Sequence, residues 1–209
     1  MIEYVIPNNP DDRILQKAAD QLSAGNLVIL PTDTNWIVVA DPFSKKGVDN
    51  LYSFKGEDKS HHFSLLCDTI KRASESAYID DNAYKILRNK IPGPFTFIFE
   101  SRKAMNKALK ASKTDHQIGV RFSPSPLVIK LIDFYEKPLV STNIPTEKIE
   151  VAEGEELYGF QIEEALGHMT LVLDPGELEF LGQSTIIDFS SGVMELVREG
   201  AGDPKIFGL

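Results

Sequence analysis

Val28-Ile29-Leu30-Pro31-Thr32-Asp33-Thr34 is a short apolar run that ends in proline and continues into three small oxygen-bearing side chains. Pro31 has no N–H to give to a sheet ladder, so a strand beginning at Leu27 should stop there. Thr32, Asp33 and Thr34 then stand where a buried strand meets solvent, which is where open α/β sheets bind their ligands. The same three residues equally suit an Asp/Thr turn. The rest of the chain has to decide between the two.

Upstream, Asn9-Pro10-Asp11-Asp12 reads as a helix start, with Ile14, Leu15, Ala18 and Leu22 at helical spacing and Gly25 as the stop. Downstream, Trp36–Ala40 reads as a second strand, and Ser44 can cap a helix carrying Val48, Leu51 and Tyr52 on one side. Strands are predicted at Phe63–Cys67, Phe95–Phe99, Ile118–Phe122, Leu139–Ser141, Met169–Leu173, Thr185–Asp188 and Val193–Val197. Helices are predicted over Asp80–Lys90, Arg102–Ala111 and Leu127–Tyr135. The last two strands, joined through Ser190-Ser191-Gly192, form a hairpin pattern. Helices alternating with strands indicate an α/β fold, and the hairpin requires an antiparallel part, so the sheet should be mixed. The Glu-rich stretch 147–164 is expected to be the loosest region.

At 209 residues, with 42% hydrophobic and 25% charged side chains, the chain suits one domain with a sizeable core. Its single cysteine, Cys67, excludes an intrachain disulfide and a Cys-rich zinc site. His61 and His62 are neighbours that point to opposite faces of a strand, and His116 and His168 show no ligand spacing, so no protein-built metal site is expected. There is no P-loop, no Gly-x-Ser-x-Gly elbow and no dinucleotide fingerprint. With no basic-plus-apolar leader and no membrane-length apolar run, the expectation is a cytoplasmic protein without membrane association.

The net charge of −9 argues against loose, non-specific binding to nucleic acid. The charge is nevertheless uneven. Arg102, Lys103, Lys107, Lys110 and Lys113 lie between Ser101 and Thr114 without a carboxylate, and residues 147–164 hold seven glutamates against Lys148. Each run is either a solvated face or a functional rim, the basic one facing RNA.

Five further segments follow the opening stretch in order: Pro92-Gly93-Pro94-Phe95-Thr96, Val120-Arg121, Ser141-Thr142-Asn143, Gly182-Gln183-Ser184-Thr185 and Arg198-Glu199-Gly200. Ser141 and Asn143, two apart on a strand, share a face. An arginine ending an apolar strand, such as Arg121, pairs with a carboxylate or a phosphate, and Glu199 and Asp188 are candidate internal partners for the two arginines. Together the six segments resemble the YrdC/YciO family, which includes the threonylcarbamoyl-AMP synthases of tRNA modification, over about Gly25 to Gly202. The resemblance implies a single YrdC-like domain over residues 1–209: a twisted mixed parallel/antiparallel sheet with flanking helices and an open concave cleft. It also implies that the cleft takes ATP, with magnesium carried by the nucleotide, together with threonine and bicarbonate. Carbamoylated threonine would attack the α-phosphate and expel pyrophosphate. On this resemblance, Lys55, Thr96, Arg121, Ser141, Asn143, Ser184 and Arg198 are the nucleotide-binding candidates. Thr32, Thr34, Trp36 and His61 are the substrate-binding candidates. No side chain is assigned as catalytic, because such a reaction needs orientation of anions and cationic groups more than acid–base chemistry.

The chain departs from the synthase pattern at two places. Asn35-Trp36-Ile37-Val38 stands where the synthases carry a Tyr-Gly-Leu-like continuation. In Lys55-Gly56-Glu57 and the following His61-His62-Phe63-Ser64-Leu65-Leu66-Cys67, Glu57 replaces the family arginine and His61 the second lysine. The second stretch looks more like the YciO branch. The expectations are therefore a nucleotide- and double-stranded RNA- or tRNA-binding protein related to tRNA threonylcarbamoyladenosine modification with weak or altered synthase chemistry, its partner a tRNA or other structured RNA, or else an active synthase, or a non-catalytic RNA-binding module.

Overall fold

The computed structural model describes residues 1–56, 63–109, 116–144, 149, 156–167 and 170–209. In chain order the elements are β1 (Ile2–Tyr4), α1 (Asp12–Ser23), β2 (Leu27–Pro31), β3 (Trp36–Ala40), α2 (Lys45–Lys55), β4 (Ser64–Leu66), α3 (Ile70–Ser74), α4 (Asp81–Leu87) and β5 (Phe95–Glu100). They continue as α5 (Lys103–Ala108), β6 (Gln117–Arg121), α6 (Pro126–Tyr135), β7 (Leu139–Asn143), α7 (Gly159–Leu166), β8 (Thr170–Asp174), β9 (Thr185–Asp188) and β10 (Glu195–Arg198), before a 3₁₀ turn at Pro204–Phe207.

The helix starts follow from local chemistry. Asp11, Ser44 and Asp80 each cap a helix by accepting a backbone N–H, from Arg13, Gly47 and Ala83 respectively. Gly25, at φ +74°, ends α1 so tightly that a Cβ there would sit 2.9 Å from the Lys46 Cβ. β2 runs to Pro31, whose last pairing is with Trp36 of β3. The chain then turns, with the Thr32 N–H donating to the Asn35 carbonyl at 2.9 Å.

The described strands form one ten-stranded sheet in the order β1-β8-β2-β3-β7-β4-β6-β5-β9-β10. It is mixed, as expected. β1–β8, β8–β2, β4–β6 and β5–β9 are parallel, and the other neighbours, including the terminal β9–β10 hairpin, are antiparallel.

Strand alternation sorts the side chains onto two faces. On one face Trp36, Val38, Val140, Leu65, Val120, Phe97, Phe99 and Ile187 join a large core with α2 and α7 residues such as Leu51 and Ile162. On the other, Val28, Leu30, Ile37, Val39 and Leu66 pack beneath α1 and α6, with Leu15, Leu22, Leu127 and Leu131. This second core lies over the β8-β2-β3-β7 side. Further along the same face, Ser141, Ser64, Gly119, Arg121, Thr96, Ile186 and Arg198 fall in register from β7 to β10 and line cavities.

Three departures from the sequence expectations have physical causes. β1 is three residues long and exists through its pairing with β8, a partner more than 160 residues away. Part of the stretch expected to be loose is helical: α7 spans Gly159–Leu166, with Ile162 and Leu166 buried and Glu163 and Glu164 outside the core, so the glutamates form the wet face of an amphipathic helix. The helix predicted over Arg102–Ala111 is observed as α5 at Lys103–Ala108, with Lys110 and Lys113 outside the described residues.

Phe97 sits among the rings of Phe95, Phe122, Phe189 and Phe207, at centroid distances of 5.6–6.4 Å. Phe97→Ala is expected to cost about 3–5 kcal/mol. In urea unfolding the midpoint should fall with an unchanged slope, and an unaltered midpoint would show that this aromatic cluster does not hold the sheet.

Candidate functional site

The cleft lies where β7, β4, β6, β5, β9 and β10 present their second face. Its volume is about 230 Å³, and Thr96, Arg121, Ser141, Asn143, Ser184 and Arg198 line it together with Ile37, Ser64, Thr142 and Ile186. Six side chains predicted from five separate segments therefore meet in one place. An apolar extension of about 260 Å³, lined by Phe63, Ile98, Ile118 and Gly119, shares Ser64, Thr96 and Ile186 with it. Gly119 keeps the junction open, since a Cβ there would lie 3.2 Å from both Ser64 Oγ and Thr96 Cγ2.

Arg121 is the deepest cation. Its side chain is 7% exposed and that of Asp33 is 8%, with Nη2 donating to Oδ1 at 3.0 Å. The Ser123 hydroxyl donates to the same oxygen at 2.7 Å. Asp33 Oδ2 and Arg121 Nε are buried without a hydrogen-bond partner. Burial pushes the guanidinium below its ordinary pKa, the Asp33 carboxylate acts the other way, and Arg198 adds to the depression. The internal partner of Arg121 is thus Asp33, within the opening turn, in place of the proposed Glu199 or Asp188. Asp188 instead accepts from the Ser190 N–H at 2.6 Å.

Arg198 is held differently. Nε and Nη2 donate to the Ser184 carbonyl at 3.2 and 2.7 Å. Ser184 Oγ lies 2.8 Å from Thr96 Oγ1, which links β5, the approach to β9, and β10. Among the described residues Arg198 forms no ion pair with a carboxylate, so its charge faces the cleft without an internal counter-ion. The Ser141 hydroxyl donates to the Ser64 carbonyl at 3.0 Å, which leaves its lone pairs as acceptors. Asn143 ends β7 on the same face, exposed.

The remaining candidates occupy other places. Thr32 and Thr34 are buried in the turn after β2. The Thr32 hydroxyl donates to the Asn35 carbonyl at 2.9 Å and its oxygen accepts from the N–H groups of Thr34 and Asn35. These bonds make the Asp/Thr turn, and the turn carries Asp33 to Arg121. Trp36 is 2% exposed, donates from Nε1 to the Leu157 carbonyl at 2.8 Å and packs edge-on against Phe180. It belongs to the core and does not line the cleft. Lys55 ends α2, just before Gly56 at φ +73°. His61 and Glu57 lie outside the described residues.

Sequence reasoning named Asp33 in the opening turn without assigning it to Arg121, and it passed over Ser123, Ser64, Gly119 and Ile186 as site residues. Ser64, Gly119 and Ile186 depend on strand register, which no local pattern specifies, and Ser123 depends on where the loop after β6 meets the opening turn. Cys67 is buried and its thiol is pushed up by desolvation, so it stays protonated and inert. Among the described residues no three His, Cys, Asp or Glu side chains converge as metal ligands, and no helix is long and apolar enough to cross a membrane.

Breaking a buried ion pair by removing one partner costs about 3–5 kcal/mol, because the survivor is left charged and alone, whereas apolar replacement of both is close to neutral. Asp33→Ala should therefore destabilise the fold by that amount, and Asp33→Ala with Arg121→Met should recover most of it. Chemical denaturation of the four-member cycle tests this; additive losses would mean that the two groups do not depend on each other.

Comparison with known proteins adds a family to this geometry. The model of the Sua5_yciO_yrdC family, described as telomere recombination, matches residues 20–200. The uncharacterized protein YciO of Escherichia coli K12 is 26% identical over 208 residues, covering 98% of this chain and 97% of that one. Its crystal structure superposes with a TM-score of 0.84 at 24% identity, over 99% and 98% of the two chains. A putative threonylcarbamoyl-AMP synthase of Methanocaldococcus jannaschii is 24% identical over 202 residues, 94% of this chain and 90% of that one. The crystal structure of Pyrococcus abyssi Sua5 complexed with L-threonine matches with a TM-score of 0.83 at 20% identity, over 100% of this chain and 61% of that one.

Proposed function

The chain belongs to the Sua5/YciO/YrdC family, and from that premise we propose that its cleft binds an adenine nucleotide and that the protein serves the formation of threonylcarbamoyladenosine in tRNA, with synthase chemistry weaker than in the synthases proper. The observation that carries this reading is the division of the cleft into two ends. The apolar end, with Phe63, Ile98 and Ile118, suits a planar base. The polar end, with Arg121, Arg198, Ser141, Asn143, Thr96 and Ser184, suits a ribose and phosphates. Arg198 supplies a charge that no carboxylate among the described residues pairs with, and Arg121 supplies a fixed fork already desolvated. Magnesium would arrive with the nucleotide. Threonine joins the substrate set on the likeness to the threonine-bound Pyrococcus structure and to the Methanocaldococcus protein described as a putative threonylcarbamoyl-AMP synthase, and bicarbonate is the one-carbon unit that a carbamoyl group on threonine requires.

The reading of weakened chemistry rests on Glu57. Arginine to glutamate is a change of two charge units, and beside a triphosphate each unit is worth about 1–4 kcal/mol. The RNA part of the reading rests on Lys103 and Lys107 of α5 and on Arg102 just before it, three cations close in sequence on an otherwise acidic chain. Such a rim holds backbone phosphates in a salt-dependent way, and structured RNA is read largely by shape and backbone.

Arg198→Ala is expected to weaken adenine-nucleotide binding at least tenfold, the equivalent of about 1.5–3 kcal/mol for a charge-assisted bond. It is a cleaner probe than Arg121→Ala, which would leave Asp33 buried and unpaired. Calorimetry on the folded variant decides, and unchanged affinity would remove Arg198 from the site.

Incubation with ATP, threonine and bicarbonate should release pyrophosphate slowly and yield threonylcarbamoyl-AMP. Glu57→Arg should speed that release, and Glu57→Arg with His61→Lys should speed it further. No product from any of the three proteins would leave a binding role and eliminate the enzymatic one.

A further inference from the structure

A second groove, of about 280 Å³, lies on the other side of β5 from the cleft. Thr96 and Ile98 line the cleft and its extension, whereas Phe99, on the alternate face, floors this groove beside Phe189, the two rings stacked at 5.4 Å. None of the nucleotide or substrate candidates lines it.

Its rim has a specific chemistry. Tyr78 is 47% exposed, although it is an aromatic residue beside a hydrophobic floor. The Arg102 guanidinium lies 4.6 Å from the centre of the Tyr78 ring, and its Nε is anchored to the Ser74 carbonyl at 2.7 Å, so the pair forms a fixed platform. Met194 of the terminal hairpin forms the facing wall, and that hairpin is tied down by Gln117 Nε2 donating to Ser190 Oγ at 2.6 Å. Asp80 and Glu100 supply carboxylate acceptors at the edge. Directly beyond Arg102, α5 carries Lys103 and Lys107 and no carboxylate.

We propose that this groove takes one unpaired base of a structured RNA, with the adjoining phosphates on Lys103 and Lys107. The inference rests on the RNA reading of α5 and is independent of the nucleotide cleft. Bases stack on aromatic and guanidinium planes, and an exposed tyrosine–arginine platform over an aromatic floor presents such planes to a flat heterocycle. The charges divide the ligand in the same way. Carboxylates at the groove repel a phosphate inside it, while the lysines outside attract one. Asp80 and Glu100 can only accept hydrogen bonds, so they favour guanine, whose N1–H and exocyclic amine offer a carboxylate two adjacent donors, over adenine, cytosine and uracil, each of which offers one donor group flanked by acceptors.

The test uses the full chain and fluorescence anisotropy with one RNA hairpin in four forms: fully paired, or with a single bulged G, A or U. The G bulge should bind roughly tenfold tighter than the paired hairpin, and the A and U bulges should gain less than the G bulge does. Tyr78→Ala, checked for native circular dichroism, should abolish the advantage and leave paired-hairpin affinity unchanged, while Tyr78→Phe and Arg198→Ala should both retain it. Lys103→Glu with Lys107→Glu should weaken all four. Binding of the paired hairpin with no gain from any bulge, an equal gain from U, or a gain that survives Tyr78→Ala overturns the groove assignment while the RNA reading of α5 stands. Failure to bind any hairpin overturns both.

Discussion

The Asp33–Arg121 ion pair is the contact on which the arrangement of the site depends. Asp33 follows β2 and Arg121 ends β6, and β3, β7 and β4 lie between those strands in the sheet. At roughly 4.8 Å per strand a flat sheet would hold the two strands about 19 Å apart. A 3.0 Å contact between the side chains is bridged by the turn after β2 and the reach of the arginine side chain. The pair therefore joins the helix-covered part of one face to the cleft-bearing part, with Asp33 Oδ2 and Arg121 Nε left without a partner among the described residues. Removing either charge leaves the other buried without compensation, so shape and electrostatics are locked together here.

The cleft exists because α1 and α6 pack over only one part of that face. Their apolar partners, Val28, Leu30, Ile37, Val39 and Leu66, end at β4. Beyond it the same registers carry Ser64, Gly119, Thr96 and Arg121, residues that would be costly to place under a hydrophobic helix. A pattern change within one continuous face, from apolar to small and polar, thus separates core from binding surface. Gly119 and the hydroxyl pair Thr96–Ser184 give that surface its depth and its donors.

Within the cleft the two arginines have different roles. Arg121 is desolvated and partly neutralised, so its contribution to a ligand is directional. Arg198 is anchored through a backbone carbonyl and keeps its charge, so its contribution is electrostatic. Such a division suits a ligand with one precisely placed anionic group and further charge nearby, as in a nucleotide. The second groove, on the opposite side of β5, has a different balance, with two carboxylates, Asp80 and Glu100, and one guanidinium, Arg102, among its lining residues.

The sequence alone determined the α/β class, most element positions and the family resemblance, because helix caps, apolar periodicity and the Pro/Gly punctuation are local properties of the chain. Through the family resemblance it also pointed to Thr96, Arg121, Ser141, Asn143, Ser184 and Arg198, and for Arg121, Ser141 and Asn143 the end of an apolar strand was a local signal as well. Only the tertiary structure decided that these six converge, that Trp36 belongs to the core, and that Arg121 pairs with Asp33 eighty-eight positions away. β1, α3, α7 and the final 3₁₀ turn were illegible for a related reason: they are short, and their stability comes from partners distant in sequence. Strand order and register are set by burial summed over the whole sheet, and no window of sequence contains that sum.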